Sequence, residues 1–220
     1  MARTRVKTCC ISSLDEARLA ISHGADALGL VSHMPSGPGV ISEALIGDIA
    51  RDTPPAIGTF LLTSALSAAE IIAQQSRCRV NTVQIVDALP HGEYVRLRTA
   101  MPGIALVQVI HVRNEESIAE ARAVAGEVDA VLLDSGDPTR PVKELGGTGR
   151  VHDWALSRAI VEALDIPVFL AGGLTAENAA EAINSVKPFG VDLCSGVRTN
   201  DQLDGDKLNS FFAAVASVGL

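Results

Sequence analysis

Two adjacent cysteines near the start of the chain, Cys9 and Cys10, an aspartate far along it, Asp134, and three glycine-bearing segments are the residues whose types and spacing can do chemistry. Asp134 ends an apolar run, Ala130-Val131-Leu132-Leu133, and a polar loop leads from it to Gly146-Gly147-Thr148-Gly149. Gly172-Gly173 and Ser195-Gly196 follow later apolar runs. Glycine puts no Cβ in the way of a ligand, and backbone N–H groups with a helix N-terminus behind them hold a phosphate dianion without a lysine. A thiolate and a carboxylic acid that face each other form a general base and a general acid, provided the thiol pKa is lowered and the carboxyl pKa raised. Plainer readings stand beside these: the glycines as tight turns, and Asp134 as a loop cap or as a partner of Arg140 or Lys143.

Such residues need a scaffold that carries them to one rim. Arg5 to Cys10 reads as a strand, and Ser13 caps a helix, Leu14 to Ser22, with Gly24 after its end. Apolar runs at Ala27–Val31, Ile57–Leu62, Thr82–Val86, Ala105–Ile110, Ala130–Asp134, Val168–Ala171 and Val191–Ser195 read as seven further strands. Helical patterns follow them: one capped by Ser42 and running through Arg51, then Ala65 to Gln75, Glu93 to Thr99, Glu115 to Ala125, Asp153 to Leu164, Thr175 to Val186 and Asp206 to Ser217. Near-continuous apolar strands alternating with helices imply a parallel sheet with right-handed crossovers. Eight such units in 220 residues predict a single-domain (βα)8 TIM barrel spanning residues 1–220. No G-x-G-x-x-G fingerprint follows the first strand, which argues against an open dinucleotide-binding sheet.

Barrels place functional groups at the C-terminal ends of their strands, with phosphate near the loops after strands 7 and 8. That rule selects Cys9, Cys10, Gln84, Gln108, Asp134, Gly172, Gly173, Asp192, Ser195 and Gly196. Strand alternation puts Lys7 and Cys9 on one face and Cys10 on the other. An inward Lys7 favours thiolate at Cys9; a strand-end lysine in solvent does nothing of the kind.

A net charge of −8 argues against nucleic acid or an anionic membrane as the main partner, since both call for a basic surface. No apolar run approaches the roughly 18 residues needed to span a bilayer, and Met1 to Arg5 leads into a strand with no apolar leader, which predicts a cytoplasmic protein. Cys9, Cys10, Cys78 and Cys194 have no metal-site spacing, and no metal is expected. The association state is read as monomer or homodimer.

From strand 1 to strand 8 the chain resembles the phosphoribosylanthranilate isomerase family of tryptophan biosynthesis. The resemblance rests on Lys7-Thr8-Cys9-Cys10-Ile11 for the family's K-I-C-G-I, Gly24-Ala25-Asp26-Ala27-Leu28-Gly29, Leu132-Leu133-Asp134-Ser135 and Gly146-Gly147-Thr148-Gly149. Asp153-Trp154, Ala171-Gly172-Gly173-Leu174 and Gly190-Val191-Asp192 leading into Ser195-Gly196-Val197 complete the set. It implies an Amadori rearrangement, aldose to ketose, of an N-phosphoribosyl aromatic amine. Asp134 is then the general acid on the furanose oxygen and Cys9 the base that takes the C2′ proton. Gly147, Thr148, Gly149, Gly172, Gly173, Ser195 and Gly196 hold the phosphate; Lys7, Gln84 and Asp192 stand behind. No cofactor is implied, because the substrate nitrogen is the electron sink.

The departures lie away from the phosphate. The family's loop after strand 2, S-P-R-Y-V-S, has an arginine for the anthranilate carboxylate, and Gly39 occupies its place. Losing that contact costs roughly 1.5–3 kcal/mol, more if desolvated. The family's Q-L-H-G becomes Gln84-Ile85-Val86-Asp87, its strand-5 lysine becomes Gln108, and Cys10 replaces a glycine. His33, His111 and Arg113 are the residues available to replace the lost contact, although each reads better as an ordinary rim residue. Two alternatives follow: an isomerase for a different phosphoribosyl amine, and a phospho-sugar-binding barrel without turnover.

Overall fold

The computed structural model describes residues 3–146 and 149–218. Eight parallel strands close into a barrel in chain order: β1 (Arg5–Thr8), β2 (Ala27–Val31), β3 (Gly58–Thr63), β4 (Thr82–Ile85), β5 (Ala105–His111), β6 (Ala130–Asp134), β7 (Val168–Leu170) and β8 (Gly190–Leu193). One α-helix follows each: α1 (Leu14–Ser22), α2 (Glu43–Asp52), α3 (Ala68–Cys78), α4 (Glu93–Ala100), α5 (Glu116–Val124), α6 (Trp154–Ala163), α7 (Ala179–Val186) and α8 (Gly205–Ala216). The predicted (βα)8 barrel is the fold. The helices begin where side chains satisfy the first free N–H groups: Ser13, Ser42, Ser67, Asp153 and Asp204 each accept from a backbone N–H of the first turn.

Boundaries moved where a cap or turn competed with the apolar pattern. Helix α3 starts at Ala68 rather than Ala65 because Ser67 takes the Glu70 N–H. Helix α7 starts at Ala179 rather than Thr175, since Asn178 Oδ1 accepts from the Thr175 N–H at 2.9 Å and holds a turn there. Strand β1 ends at Thr8, two residues before Cys10. A short antiparallel hairpin, β9 (Arg198–Thr199) with β10 (Gln202–Leu203), was not legible as a pattern.

Strand alternation divides the core in two. Val83 and Ile85 of β4, Val131 and Leu133 of β6, and Val191 and Leu193 of β8 pack outward against the helices. Phe60, Leu62, Val107, Val109, Ala130, Leu132 and Phe169 fill the interior, as barrel layers require. The same parity turns Lys7, Gln84, Asp134 and Asp192 inward, all of them buried. It turns Gln108 outward, where Tyr94 of α4 donates to its Oε1 at 2.6 Å. Gln108, selected above as a rim residue, therefore stands on the helix side of β5. Among the described residues no helix is long and apolar enough to cross a membrane.

Candidate active site

Cys9 stands just past β1, its N–H donating to the Leu193 carbonyl at 2.8 Å, which ties it to β8. Behind it Lys7 is fully buried, its Nζ 2.7 Å from Asp192 Oδ2 and 5.3 Å from the centroid of the Phe60 ring. A Cβ on Gly29 would lie 2.6 Å from the Cys9 sulfur and 3.0 Å from Lys7 Nζ, so β2 leaves room for both only with glycine there. Burial works against the lysine charge, but Asp192, with the Cys9 and Cys10 thiols, outweighs it and Lys7 stays protonated above its ordinary range. The Cys9 thiol is held below its ordinary value by a hydrogen bond from Cys10 and by the Lys7 charge, together outweighing burial. Burial pushes the Asp192 carboxyl up, with Lys7 pulling the other way.

Alternation alone sends Cys10 to the face opposite Cys9. The structure brings it back to the interior, because β1 has already ended and Cys10 takes a left-handed conformation, φ 61°. Its hydrogen bonds to Cys194 and Cys9, and then burial, push its thiol well up, leaving Cys9 as the acidic member of the pair. Arg198 Nη2 donates to the Cys10 carbonyl at 2.5 Å, and Arg198 is itself fixed by Glu16, 2.9 Å away.

Asp134 closes β6 with its side chain 8% exposed. It accepts the Ser135 N–H at 2.7 Å. Arg140 pairs with Glu144 at 2.5 Å and Lys143 with Asp87, so the plainer reading of Asp134 as their partner does not hold. A Cβ on Gly146 would lie 2.7 Å from Asp134 Oδ2: the glycine loop passes directly over the carboxylate. Beside it, His152 has Nε2 2.7 Å from Ser157 Oγ, an Nδ1 without a partner among the described residues, and a pKa lowered by burial. Nothing in the sequence pattern marked His152; its place on the loop before α6 became visible only when that loop folded back.

Cys9, Cys10, Gln84, Asp134, Asp192, Gly149, Gly172, Gly173 and Ser195 line one cleft with a cavity volume of about 80 Å³, open to solvent at its mouth. Gly172 and Gly173 have φ of 86° and 62° and press against the stretch from Gly149 to His152: a Cβ on Gly173 would come within 2.9 Å of the Gly149 carbonyl and 2.8 Å of Val151 N. Gly149 approaches Ser195, whose Oγ would be 3.6 Å from a Cβ there. Two loop segments thus meet as backbone, with the Ser195 hydroxyl of a third beside them, a surface that suits a phosphate.

This architecture is shared with proteins of known activity. The family model for N-(5'phosphoribosyl)anthranilate (PRA) isomerase matches residues 6–214. The chain belongs to this isomerase family. It is 36% identical over 198 residues to N-(5'-phosphoribosyl)anthranilate isomerase 2 of Methanosarcina mazei, covering 90% of this chain and 87% of that one. The crystal structure of phosphoribosyl anthranilate isomerase from Thermotoga maritima superposes with a TM-score of 0.82 at 28% identity, covering 97% and 99% of the two chains. A phosphoribosyl anthranilate isomerase in complex with reduced 1-(o-carboxyphenylamino)-1-deoxyribulose 5-phosphate superposes with a TM-score of 0.81 at 26% identity, covering 97% and 99%.

Several positions named from the sequence do not line the cleft. Gly196 is not among the residues that line the cleft, and a Cβ on it would meet the Leu174 carbonyl at 2.1 Å, a close approach that glycine allows. Lys7 lies beneath Cys9 and does not line the cleft either. Gly147 and Thr148 lie outside the described residues. His111 and Arg113 line a second cavity with residues of α4 and α5, as do Gln108 and Asp87. His111 Nε2 is 3.0 Å from the Val86 carbonyl, and His33 does not line the cleft.

Proposed function

We propose that this chain isomerises N-(5-phosphoribosyl)anthranilate to the carboxyphenylamino-deoxyribulose phosphate in the cytoplasm, with Asp134 as acid and Cys9 as base. Asp134 gives a proton to the furanose ring oxygen as the C1′–O bond breaks, and the anilino nitrogen lone pair forms the iminium. The Cys9 thiolate takes the C2′ proton; the C–H electrons form the C1′–C2′ double bond and the iminium π electrons return to nitrogen. The enolamine tautomerises to the ketose. The acid acts on the ring oxygen bonded to C1′ and the base on the proton at C2′, so they must reach the sugar from one chamber while its phosphate is anchored nearby.

The observation that carries this reading is the single cleft into which Cys9, Asp134 and the Gly149, Gly172, Gly173 and Ser195 backbone all open. The lowered thiol pKa at Cys9, against a raised one at Cys10, supports the choice of base. Gly147 and Thr148 are assigned to the same phosphate site on the sequence pattern.

The test is steady-state turnover of phosphoribosylanthranilate formed in situ, followed by loss of its fluorescence. Wild-type turnover with a loss of about 10²-fold or more in both Cys9→Ser and Asp134→Asn is expected for acid–base residues. Full activity in either variant would refute its role, and a wild type that binds the substrate without turning it over would favour a phospho-sugar-binding barrel.

A further inference from the structure

The wall of the cleft on the β2 to β4 side is apolar. Val31, Met34, Leu62, Val86 and Leu145 build it, with Cys10 at its edge. Among the described residues its polar side chains are Ser36, whose hydroxyl donates to the Lys143 carbonyl at 2.6 Å, and Gln84, 3% exposed. Gln84 Oε1 has no partner among the described residues. Whichever way its amide is turned, Gln84 offers a hydrogen bond and never a counter-charge. Among the described residues the charged side chains that do line the cleft are two acids, Asp134 and Asp192. Nearby cations are committed elsewhere: Lys143 to Asp87, Lys7 to Asp192 and Arg198 to Glu16.

The loop from β2 cannot project a side chain of its own at residue 39. Gly39 has φ 80°, and a Cβ there would lie 2.5 Å from Cys10 Cβ and 2.9 Å from Cys10 Cα. Both obstacles are fixed, Cys10 by its left-handed backbone and by Arg198 on its carbonyl. A side chain at residue 39 and one at residue 10 exclude each other.

We infer that this chain recognises its aglycone as an aryl ring on an apolar wall, with an ortho carboxylate adding little, and that the Cys10–Gly39 contact is the specificity-determining feature. Resting on the isomerase reading above, this names the substrate class as N-(5-phosphoribosyl) arylamines, carboxylated or not. A carboxylate on this wall finds neutral dipoles and two acids, so the binding it gains from the protein is small.

The experiment compares two substrates formed from ribose 5-phosphate with anthranilate or with aniline. Alongside it, the dissociation constants of the two corresponding reduced amino-alcohol phosphates, which do not react, separate binding from the amine's intrinsic reactivity. Turnover of both substrates, with dissociation constants within about tenfold of each other, is expected, because a charge-assisted contact to the carboxylate would be worth about ten- to a hundredfold or more. A hundredfold preference for the carboxylated analogue would overturn the inference while leaving the isomerase reading intact. Turnover of neither overturns that reading, and the inference with it. Cys10→Gly with Gly39→Arg, which removes the Cβ at 2.5 Å and gives residue 10 the backbone freedom to yield at its Cα, is expected to introduce a preference for the carboxylated analogue that Gly39→Arg alone, blocked by Cys10, does not show; a preference in the single variant would count against the proposed exclusion.

Discussion

Replacing Lys7 by Met tests whether a residue that never reaches the cleft sets the reactivity of one that does. Lys7 Nζ and the Cys9 sulfur each lie within 3.0 Å of the point a Cβ on Gly29 would occupy. No more than about 6 Å therefore separates them, and at an effective dielectric of about 20 an interaction at that range is worth roughly 2 to 3 kcal/mol. The full amount does not appear, because Asp192 answers the substitution. Its carboxylate, 2.7 Å from Lys7 and already pushed up by burial, takes a proton once the ammonium is gone, which removes a negative charge that had been raising the Cys9 pKa. Lys7 outweighs Asp192 at Cys9, so a net rise in the Cys9 pKa is expected.

Two measurements read this shift. The acid limb of kcat/KM against pH reports the free enzyme's base, and the rate of Cys9 alkylation by iodoacetamide against pH reports its thiolate directly. Both should move up together in Lys7→Met, and Lys7→Met with Asp192→Asn should match the single variant. An unmoved or lowered limb in a folded variant would refute the coupling of Lys7 to Cys9. Breaking a buried ion pair also costs about 3 to 5 kcal/mol, so the stability of each variant is measured first; the double variant, in which no carboxyl has to take up a proton at neutral pH, is expected to be the more stable of the two.

Two further outcomes follow from the loops around this centre. Glu16 is held down to about 2 by the Arg198 guanidinium and by the N–H groups of Leu203 and Ser12, against the opposing effect of burial; with a depressed folded-state value, its contribution is complete above about pH 5 and is lost as pH falls toward 2, so Glu16→Gln should flatten the acid arm of a urea-midpoint profile and, by leaving Arg198 unpaired, cost roughly 3 kcal/mol at neutral pH. Gly196→Ala should lower stability by about 2 kcal/mol or more, since its Cβ falls 2.1 Å from the Leu174 carbonyl, whereas Gly172→Ala should raise KM and weaken inhibition by inorganic phosphate; the reverse pattern, read by thermal unfolding and by phosphate inhibition, would move Gly196 back among the phosphate groups.

What could be read in the linear sequence is what a period of two or 3.6 encodes. The strand positions carry the inward set by parity, which is why Lys7, Gln84, Asp134 and Asp192 face the interior, as buried strand ends should. Parity also corrects an expectation: counted along β5, Gln108 falls with Leu106 and Ile110 on the helix side. Where the chain leaves regular structure the count stops applying. Cys10, two residues past β1, reaches the cleft only through a positive φ, a conformation uncommon in a residue with a Cβ. The Arg198 that supports it comes from a hairpin of two-residue strands, too short to leave a periodic trace.

The same limit explains how Gly39 and Cys10 looked when met separately. In the sequence they are two unrelated departures from a family pattern, an arginine replaced by glycine and a glycine replaced by cysteine. In space they are one exchange: the Cβ that appears at residue 10 occupies the ground from which a side chain at residue 39 would have to start. A loop that gives up a cationic side chain also gives up the desolvation cost of burying it, and the wall it leaves, from Val31 to Leu145, is free to be apolar. Catalysis does not oppose this change. The chemistry proposed for Cys9 and Asp134 takes place at C1′ and C2′ of the sugar, anchored by phosphate on the far side of the barrel, so the aryl end can change its recognition without moving the reacting carbons.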